Sequence, residues 1–355
     1  MTAVLVLGAG GSAAANFVDA LRLSEHRYRI VGADASAVHL HMSEADERVV
    51  VPRADADGYL EAIRNVVRRY QVDVVHAQPD PDVRAISRYR DQIGAATFLP
   101  TAAAIDLAAD KLAFGQAMRE RSVGVPEVST IDSEAALKKV VDSMLKRHEK
   151  LWVRARVGAG SRASLPVRTS EQALGWVRWW IAEKGMSATD FMVSEFLPGR
   201  EFAYQSIWQD GEMIAGQARQ RVEYLYGHLT PSGQTSTPAV ARTVAEPAVD
   251  DLAMAAIKAL DANPNGVYCV DIKESAGGKP KVTEINTGRF FTTSNFFAHA
   301  GLNMPDMLVR CAVGERPARR GSSPLEPDLY WIRMVDMPYR LVPGSKIDDW
   351  PRSDS

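Results

Sequence analysis

Two carboxylates and an amide are spaced so that one surface of the protein could hold a divalent metal ion. Residues 267–274 and 281–286 have strand character. Alternate residues of a strand share a face, so Glu284 and Asn286 point the same way, and Asp271 can join them from the neighbouring strand. Such oxygen ligands suit Mg²⁺ held together with substrate phosphates. The alternative is a solvated β face, but the apolar surroundings favour a metal site, because an unpaired buried carboxylate is costly.

A strand followed by a glycine-rich turn could hold phosphate groups. Arg154 lies in the strand-like segment 151–156, and Gly158, Gly160 and Ser161 follow it. Backbone N–H groups of such a turn and the fork of a guanidinium both bind phosphate oxygens. The Gly-Lys-Ser/Thr ending of a Walker A loop is absent from this segment. An ordinary hairpin turn with exposed arginines is therefore the competing interpretation.

The segment 194–201 could bind a nucleoside. It combines an apolar strand end, Phe196 and Leu197, with the carboxylates Glu195 and Glu201. Backbone groups at a strand end can contact a purine edge, and a carboxylate accepts hydrogen bonds from ribose hydroxyls. A strand that simply ends at a Pro-Gly turn explains the same residues.

The first motif of the chain suggests a different nucleotide. Residues 8–13 read G-x-G-x-x-A between a strand and a helix, and Asp34 ends the next strand. This is the fingerprint of a dinucleotide-binding loop, so an NAD-dependent oxidoreductase is one hypothesis. The alternative is structural, because small residues are needed where a strand turns tightly into a helix. The later motifs favour the structural explanation, and we predict that this loop does not bind NAD.

The elements that must position these residues begin as an alternation of strands and helices, which predicts a parallel sheet covered on both faces. The pattern predicts strands at 4–7, 28–33, 72–76, 151–156 and 191–196, hairpins at 202–217 and 267–285, helices at 16–23, 59–70, 110–121, 171–184, 250–260 and 304–313, and a long polar loop at 224–240.

Composition predicts a globular protein of more than one unit. The chain has 355 residues, 46% of them hydrophobic and 24% charged, and a formal net charge of −2. This balance gives no general field that would attract nucleic acid or an anionic membrane. No apolar stretch is long enough to span a bilayer, and no signal peptide is predicted. Two cysteines are too few for a zinc cluster or a disulfide framework, so a cytoplasmic protein is expected.

Taken in order, these motifs resemble the ATP-grasp superfamily, and in particular its carbamoyl-phosphate-synthase-like group. The likeness covers residues 3–315. In one departure, family members place an arginine two residues after the metal-binding asparagine, whereas Gly288 intervenes here and the arginine is Arg289. Residues 4–11 and 31–34 resemble the pre-ATP-grasp domain, Asp110-Lys111 the Asp-Lys pair, 153–162 the phosphate-contacting strand and flap, 195–201 the adenine hinge and ribose acid, and Glu284-Ile285-Asn286 with Asp271 the metal-binding acids and amide.

The resemblance implies an α/β protein, α+β in its C-terminal part, with the ATP-grasp fold behind a Rossmann-like pre-ATP-grasp domain. We predict a pre-ATP-grasp domain at 1–105, a small (lid) subdomain at 106–192, a nucleotide- and metal-binding subdomain at 193–320, and a C-terminal extension without an assigned role at 321–355.

The resemblance also implies a role for each site residue. Mg²⁺, or Mn²⁺ in its place, would be held by Asp271, Glu284 and Asn286. Arg289 and Arg154 would act in catalysis, and Arg219, Arg221 and Arg289 would hold the substrate. ATP would be bound by Lys111, Arg154, Gly158, Gly160, Ser161, Glu195, Phe196, Leu197 and Glu201.

The implied reaction is a biosynthetic ligation in which ATP activates a carboxylate as an acyl phosphate, with ADP and phosphate as products, and an amine or similar nucleophile is joined to it. The expected partners are small-molecule carboxylates and amines rather than nucleic acid or membrane, and a homodimer is one open option. Two alternatives stay open: carbamoyl-phosphate-type phosphorylation of bicarbonate or carbamate, and an NAD-dependent oxidoreductase that uses the loop 8–13. A non-catalytic nucleotide-binding module is disfavoured, because all three metal ligands are present.

Overall fold

The N-terminal part of the protein is built around a parallel sheet. The structure, a computed structural model, describes residues 1–157, 163–235, 237–335 and 340–346. The N-terminal sheet contains β1 (Thr2–Leu7), β2 (Tyr28–Asp34), β3 (Glu47–Val50) and β4 (Val74–Ala77), with helices α1 (Ser12–Arg22), α2 (Tyr59–Tyr70) and α3 (Asp80–Tyr89) between or after them. Its strands pair in parallel in the order β3-β2-β1-β4, which confirms the parallel sheet predicted from the alternating pattern.

Helix α1 begins at Ser12, earlier than the predicted start at residue 16. The first helical residues are Ser-Ala-Ala-Ala, which show no apolar period, although alanine has the highest intrinsic helix propensity. Gly11 precedes them as the N-cap, with extended backbone angles of φ −95° and ψ 154°. The glycine-rich turn between β1 and α1 is therefore shorter than the sequence pattern indicated.

Two helices, α4 (Ala102–Ala109) and α5 (Lys111–Glu120), lead into a small antiparallel sheet. The small sheet consists of β5 (Val128–Thr130), β6 (Leu151–Ala155), β7 (Leu165–Val167) and β8 (Phe191–Glu195), and its buried side chains pack with those of α6 (Glu134–Met144) and α7 (Ser170–Lys184). Its strand order is β5-β8-β6-β7. The predicted boundary at residue 192 divides β8, whose last residue, Glu195, still pairs with Leu151.

An eight-stranded sheet, the large sheet, occupies the C-terminal part. Its strands are β9 (Glu201–Gln209), β10 (Glu212–Tyr224), β11 (Pro238–Thr243), β12 (Gly266–Glu274), β13 (Pro280–Thr287), β14 (Gly321–Ser322), β15 (Leu329–Ile332) and β16 (Arg340–Pro343), and its helices are α8 (Pro247–Leu260), α9 (Asn295–His299) and α10 (Met304–Ala312). Seven strands follow the order β13-β12-β9-β10-β11-β15-β16, and β14 pairs with β10.

The large sheet corrects two expectations about the chain after residue 217. Strand β10 continues to Tyr224, because its residues up to that point keep pairing with β11, so the predicted polar loop is shorter than 224–240. The described residues after 320 do not form a separate extension. Trp331 of β15 pairs with Ala241 of β11 and is almost completely buried, so this segment completes the large sheet.

Buried clusters on the two faces of the large sheet fix its position relative to the other elements. On one face, Val4 of β1 and Phe17 of α1 share a cluster with Ile207 of β9. On the other, Phe114 of α5 shares a cluster with Tyr268 of β12, although α5 was predicted to belong to the lid subdomain. An amphipathic pattern shows which residues of a helix are buried, but not which sheet covers them. Within the described residues, no helix is long and apolar enough to cross a bilayer.

Candidate active site

A cavity of about 450 Å³ lies where the N-terminal, small and large sheets meet. This volume is typical of sites for small molecules. Arg219 is not part of its lining, and Gly158, Gly160 and Ser161 lie outside the described residues. The predicted site residues that line it are Lys111, Arg154, Glu195, Phe196, Leu197, Glu201, Arg221, Asp271, Glu284, Asn286 and Arg289.

The hairpin of β12 and β13 brings the two acids and the amide together. Asp271 pairs directly with Glu284 across the two strands, and Asn286 lies two residues further along β13. The amide nitrogen of Asn286 donates to Oδ2 of Asp271 at 3.0 Å. The three side chains therefore share one face of the hairpin, and that face is turned towards the cavity.

Cations already surround these acids. Nη2 of Arg221 lies 2.5 Å from Oδ1 of Asp271, and Nζ of Lys111 lies 3.2 Å from Oε2 of Glu284. Burial raises the pKa of Asp271 against the attraction of Arg221, and the neighbouring Glu284 adds to the rise. Burial acts in the same direction on Glu284, but Lys111 and Arg154 outweigh it, so the pKa of Glu284 is lowered.

The donor set fits a hard divalent cation that is bound together with phosphates. The carboxylates of Asp271 and Glu284 face each other and repel, and the amide oxygen of Asn286 beside them is a third oxygen that could bind a metal ion. No group of three or more His, Cys, Asp or Glu side chains suited to a metal occurs among the residues that the structure describes. The described side chains thus offer too few ligands for a closed metal site. This fits Mg²⁺, which keeps waters and substrate phosphates in its coordination shell.

Lys111 is positioned from both sides. Asp110 caps helix α5 by accepting from the backbone nitrogens of Leu112 and Ala113, at 2.9 and 3.2 Å. The second oxygen of Asp110 accepts from Nη2 of Arg156 at 2.6 Å, and the backbone nitrogen of Lys111 donates to the carbonyl of Arg156 at 3.0 Å. The Asp-Lys pair is therefore attached to the end of β6, and this aims the Lys111 side chain at Glu284.

Arg154 links the small sheet to the large sheet. The pairing of β12 with β13 shifts between Asp271 and Ile272, which leaves Thr283 out of register. The carbonyl oxygen of Thr283 instead accepts from Nη2 of Arg154 at 3.1 Å. Bulges of this kind are common beside active sites. Burial lowers the pKa of Arg154, and the attraction of its guanidinium to Glu284 and Asp271 opposes that shift.

The segment predicted to bind adenine forms another part of the cavity wall. Phe196 and Leu197 line it together with Trp152 of β6. Oε2 of Glu195 accepts from Nζ of Lys281 at 2.6 Å and from the backbone nitrogen of Glu127 at 3.2 Å. The carboxylate of Glu195 is thus occupied by the protein, which leaves the backbone and the apolar side chains of this segment to contact a base.

Glu201, the predicted ribose acid, is enclosed by four donors. Nη1 of Arg221 lies 3.0 Å from its carboxylate, Nζ of Lys273 3.3 Å, and the amide nitrogen of Gln234 2.6 Å. The hydroxyl of Tyr224 also donates to it. Burial raises the pKa of Glu201, but Arg221 and Lys273 reverse this effect and lower it. A nucleoside hydroxyl would have to replace one of these donors.

Sequence reasoning missed several of these contacts. Lys273 could have been found, because it lies two residues after Asp271 and so on the same face of β12. The other contacts gave no such signal, because the two residues of each pair are distant in the chain and meet only through the packing of the sheets. These contacts are made by Lys281, Arg156, Tyr224 and Gln234.

Arg289 reaches the cavity despite the extra glycine before it. Gly288 has a positive φ of 74°, and a Cβ there would lie 2.8 Å from Val83. This left-handed turn compensates for the one-residue shift from the family spacing. Nη2 of Arg289 donates to Oδ1 of Asn286 at 2.5 Å, and its Nε donates to Asp80.

Arg219 does not reach the cavity, in contrast to its predicted substrate role. It is 1% exposed, and its guanidinium lies 5.1 Å from the centre of the Phe291 ring, which itself lines the cavity. Its Nη1 donates to the carbonyl of Thr293 at 3.2 Å, and burial lowers its pKa to about 9. Arg219 and Arg221 share a face of β10 and lie equally close to Phe291, but Arg221 lines the cavity and Arg219 does not, so we withdraw Arg219 from the predicted substrate residues.

The glycine-rich loop at residues 8–13 is filled by the chain itself. A Cβ on Gly10 would lie 2.5 Å from the backbone of His39, and one on Gly8 would lie 2.4 Å from the Pro79 ring. The carboxylate of Asp34 accepts from the backbone nitrogens of Gly10 at 2.9 Å and Ser36 at 2.8 Å. The glycines allow close packing of backbone here, and Asp34 holds the turn together.

We therefore expect no saturable binding of NAD or NADP in isothermal titration calorimetry. The atoms of His39 and Pro79 pack directly against Gly10 and Gly8, which explains the glycines without a ligand, and Asp34 is already engaged by backbone donors. Titration of MgATP into the same protein sample serves as the positive control. Binding of NAD that disappears in Gly10→Val would contradict this prediction and would revive the oxidoreductase hypothesis.

Comparison with known proteins places the fold. A family model described as PylC-like, N-terminal domain, matches residues 4–98. Comparison with curated protein sequences gave no significant match. Among solved structures, the L-amino acid ligase from Bacillus licheniformis superposes with a TM-score of 0.70 at 13% identity, covering 93% of this chain and 79% of that chain.

Two nucleotide complexes are similar to the same extent. The biotin carboxylase domain of the 2-oxoglutarate carboxylase from Hydrogenobacter thermophilus, in complex with MgADP, ADP and bicarbonate, has a TM-score of 0.70 at 16% identity, over 93% of this chain and 73% of that chain. The N5-carboxyaminoimidazole synthetase from Staphylococcus aureus, in complex with ADP, has a TM-score of 0.69 at 12% identity, over 93% and 81%. At these identities the likeness shows a shared fold.

Proposed function

This chain has the ATP-grasp fold, and from that premise we propose that it is an ATP-dependent ligase, which activates a carboxylate as an acyl phosphate and joins it to an amine. The family-model match, the fold and the geometry of the cavity each support this proposal. ATP and Mg²⁺ are the proposed nucleotide and metal, and small-molecule carboxylates and amines are the proposed substrates.

One observation carries the proposal: cations from the small sheet and α5 meet acids from the large sheet inside the cavity. Lys111 lies 3.2 Å from Glu284, and Arg154 contacts the neighbouring carbonyl of Thr283. A metal-bound triphosphate carries both kinds of charge. It would replace the contacts between these cations and acids. Its phosphates would bind Lys111 and Arg154, and its metal would bind Asp271, Glu284 and Asn286. Bound Mg²⁺ would supply stabilisation of the charge that develops on the phosphate oxygens.

The reaction divides into two balanced steps. A carboxylate oxygen attacks the γ-phosphorus, the bond from that phosphorus to the bridging oxygen breaks, and ADP leaves with the bonding electrons. The amine nitrogen then attacks the carbonyl carbon of the acyl phosphate, the bond from carbon to the phosphate oxygen breaks, inorganic phosphate leaves with the bonding electrons, and the nitrogen gives up a proton to solvent water. Lys111 and Arg154 would hold the phosphates in line, and Arg289 would hold the carboxylate.

The names of the similar solved structures support the proposed type of reaction. One is named as an L-amino acid ligase, and two others were solved with ADP. Similarity at this level does not transfer a substrate, so we leave the carboxylate and the amine of this chain to experiment.

We predict ADP and inorganic phosphate as products, and neither AMP nor pyrophosphate. Attack at the γ-phosphorus is what the resemblance to ATP-grasp enzymes implies, and Lys111 and Arg154 would hold the transferred phosphate beside the proposed metal ligands. The test is a screen of carboxylate–amine pairs with MgATP, followed by chromatography of the nucleotides and a phosphate assay. Reactions without the carboxylate measure the background of ATP hydrolysis. Accumulation of AMP would mean adenylation and would refute the proposed mechanism.

A further inference from the structure

The end of the cavity beside the N-terminal sheet carries an acid next to a base. Asp80, the first residue of α3, lines the cavity and contacts the guanidinium of Arg289 through both carboxylate oxygens. The Asp80 side chain is 48% exposed, whereas that of Arg289 is 14% exposed. Arg289 is thus the buried member of the ion pair and Asp80 the accessible one, and both line the space where a substrate would lie.

A third polar residue lies in the wall of the same region. Gln78 follows β4, lines the cavity and is only 5% exposed. Within the described residues, neither its amide nitrogen nor its amide oxygen has a hydrogen-bond partner. A buried amide that lacks partners costs free energy, which sets Gln78 apart from the other residues of this wall.

The position of Arg289 indicates which group of the substrate lies beside it. Its Nη2 donates to Asn286, one of the proposed metal ligands, at 2.5 Å. A carboxylate bound by Arg289 therefore lies next to the metal ligands, where the transferred phosphate would be. This is the carboxylate that the proposed reaction activates, rather than a group on the incoming amine.

We infer that Gln78, Asp80 and Arg289 form the subsite for the activated carboxylate and that this substrate is an α-amino acid; the inference rests on the proposed ligase function. The α-carboxylate binds Arg289, the α-ammonium binds Asp80, and Gln78 forms the adjoining wall. An α-amino acid carries its two charges about as close together as the two side chains that would receive them.

The charge pattern of the subsite discriminates against a simple carboxylate. A carboxylate without an ammonium group would displace Asp80 from Arg289 and leave two acids side by side, which is costly in a partly dry site. An amino acid exchanges one ion pair of the protein for two ion pairs with the ligand. Asp80 is therefore expected to determine specificity rather than the rate of phosphoryl transfer.

The test is binding by isothermal titration calorimetry, with and without MgADP. The probes are the proteinogenic amino acids, offered singly, and for each one that binds, the same carboxylate without its amino group. Wild type is expected to bind at least one amino acid about tenfold more tightly than its deamino analogue, a difference of about 1.4 kcal/mol. In Asp80→Asn the amino acid should bind about tenfold more weakly and the deamino analogue more tightly, so that the preference disappears.

Matched variants separate specificity from folding. Asp80→Glu should keep the preference for the amino acid, and Asp80→Ser should lose it as Asp80→Asn does. Asp91→Asn, an exposed acid of the same part of the chain, should behave as wild type. The inference is overturned if no amino acid binds, if the deamino analogue binds wild type equally well, or if Asp80→Asn weakens both probes alike. Because binding does not depend on turnover, a chain that binds amino acids but never converts ATP to ADP would refute only the proposed function.

Discussion

Replacement of Glu284 with alanine is expected to abolish ATP turnover, with a loss in kcat of at least about 10³-fold, while the chain stays folded. Glu284 lies directly opposite Asp271 and 3.2 Å from Lys111. Its removal takes one of the two acids from the proposed metal and leaves the nearby cations without their strongest counter-charge. The triphosphate can still be attracted by these cations, so the defect should appear in kcat more than in the KM for ATP.

The fold should survive this change, because the other face of the hairpin holds it in place. Val282 and Ile285 of β13 are buried in the cluster that the large sheet forms with α5 and α8. Glu284→Gln keeps the shape of the side chain and removes only its charge, so it should be almost as inactive as the alanine variant. Glu223→Ala, which changes an exposed acid of β10, is the matched control and should retain activity. ATP turnover at the wild-type rate in folded Glu284→Ala would rule out a metal-binding role for Glu284.

The shared face of Asp271, Glu284 and Asn286 could be predicted because it depends on local geometry alone. A hairpin with a short turn fixes which residues are opposite one another, and a period of two fixes which residues share a face. The sequence indicated only that Asp271 could join Glu284 from the neighbouring strand, and the register of the structure pairs the two residues directly. The same local rules gave the parallel N-terminal sheet and the exact limits of α2.

Contacts between distant elements could not be predicted in this way. Glu195 and Lys281 are 86 residues apart, and the pair forms only because the end of β8 lies beside the start of β13. Arg219 shows the opposite error. Its spacing from Arg221 places both on one face of β10, but a sequence pattern does not show that Arg219 is buried away from the cavity and donates to the carbonyl of Thr293.

The position of Arg289 depends on one backbone angle. Arg289 is three residues after Asn286, so in a regular strand the two side chains would point to opposite faces. The positive φ of Gly288 reverses the chain locally and returns the guanidinium to the cavity, beside Asn286 and Asp80. An inserted glycine such as Gly288 can therefore keep the arginine side chain in place although the spacing from the asparagine is one residue longer.

Replacement of Arg154 with alanine is expected to lower kcat/KM for ATP by about 10²–10³-fold, through a higher KM and a lower kcat together. Arg154 is held on β6 and reaches the carbonyl of Thr283 at 3.1 Å, so it is aimed into the cavity before a nucleotide binds. Its guanidinium is partly desolvated and close to Glu284 and Asp271. A phosphate at this point would gain a charge-assisted hydrogen bond in the ground state and a stronger one as charge shifts during transfer.

Arg154→Lys keeps the charge but loses the planar fork, and should recover only part of the activity. Arg168→Ala is the matched control, because Arg168 follows β7 of the same small sheet, its side chain is 52% exposed, and its surface pair with Glu149 is expected to contribute little. Steady-state kinetics with varied ATP tests all three variants. Kinetics of Arg154→Ala that match those of Arg168→Ala would show that the guanidinium only ties the small sheet to β13, since a phosphate ligand cannot be removed without a change in the KM or kcat for ATP.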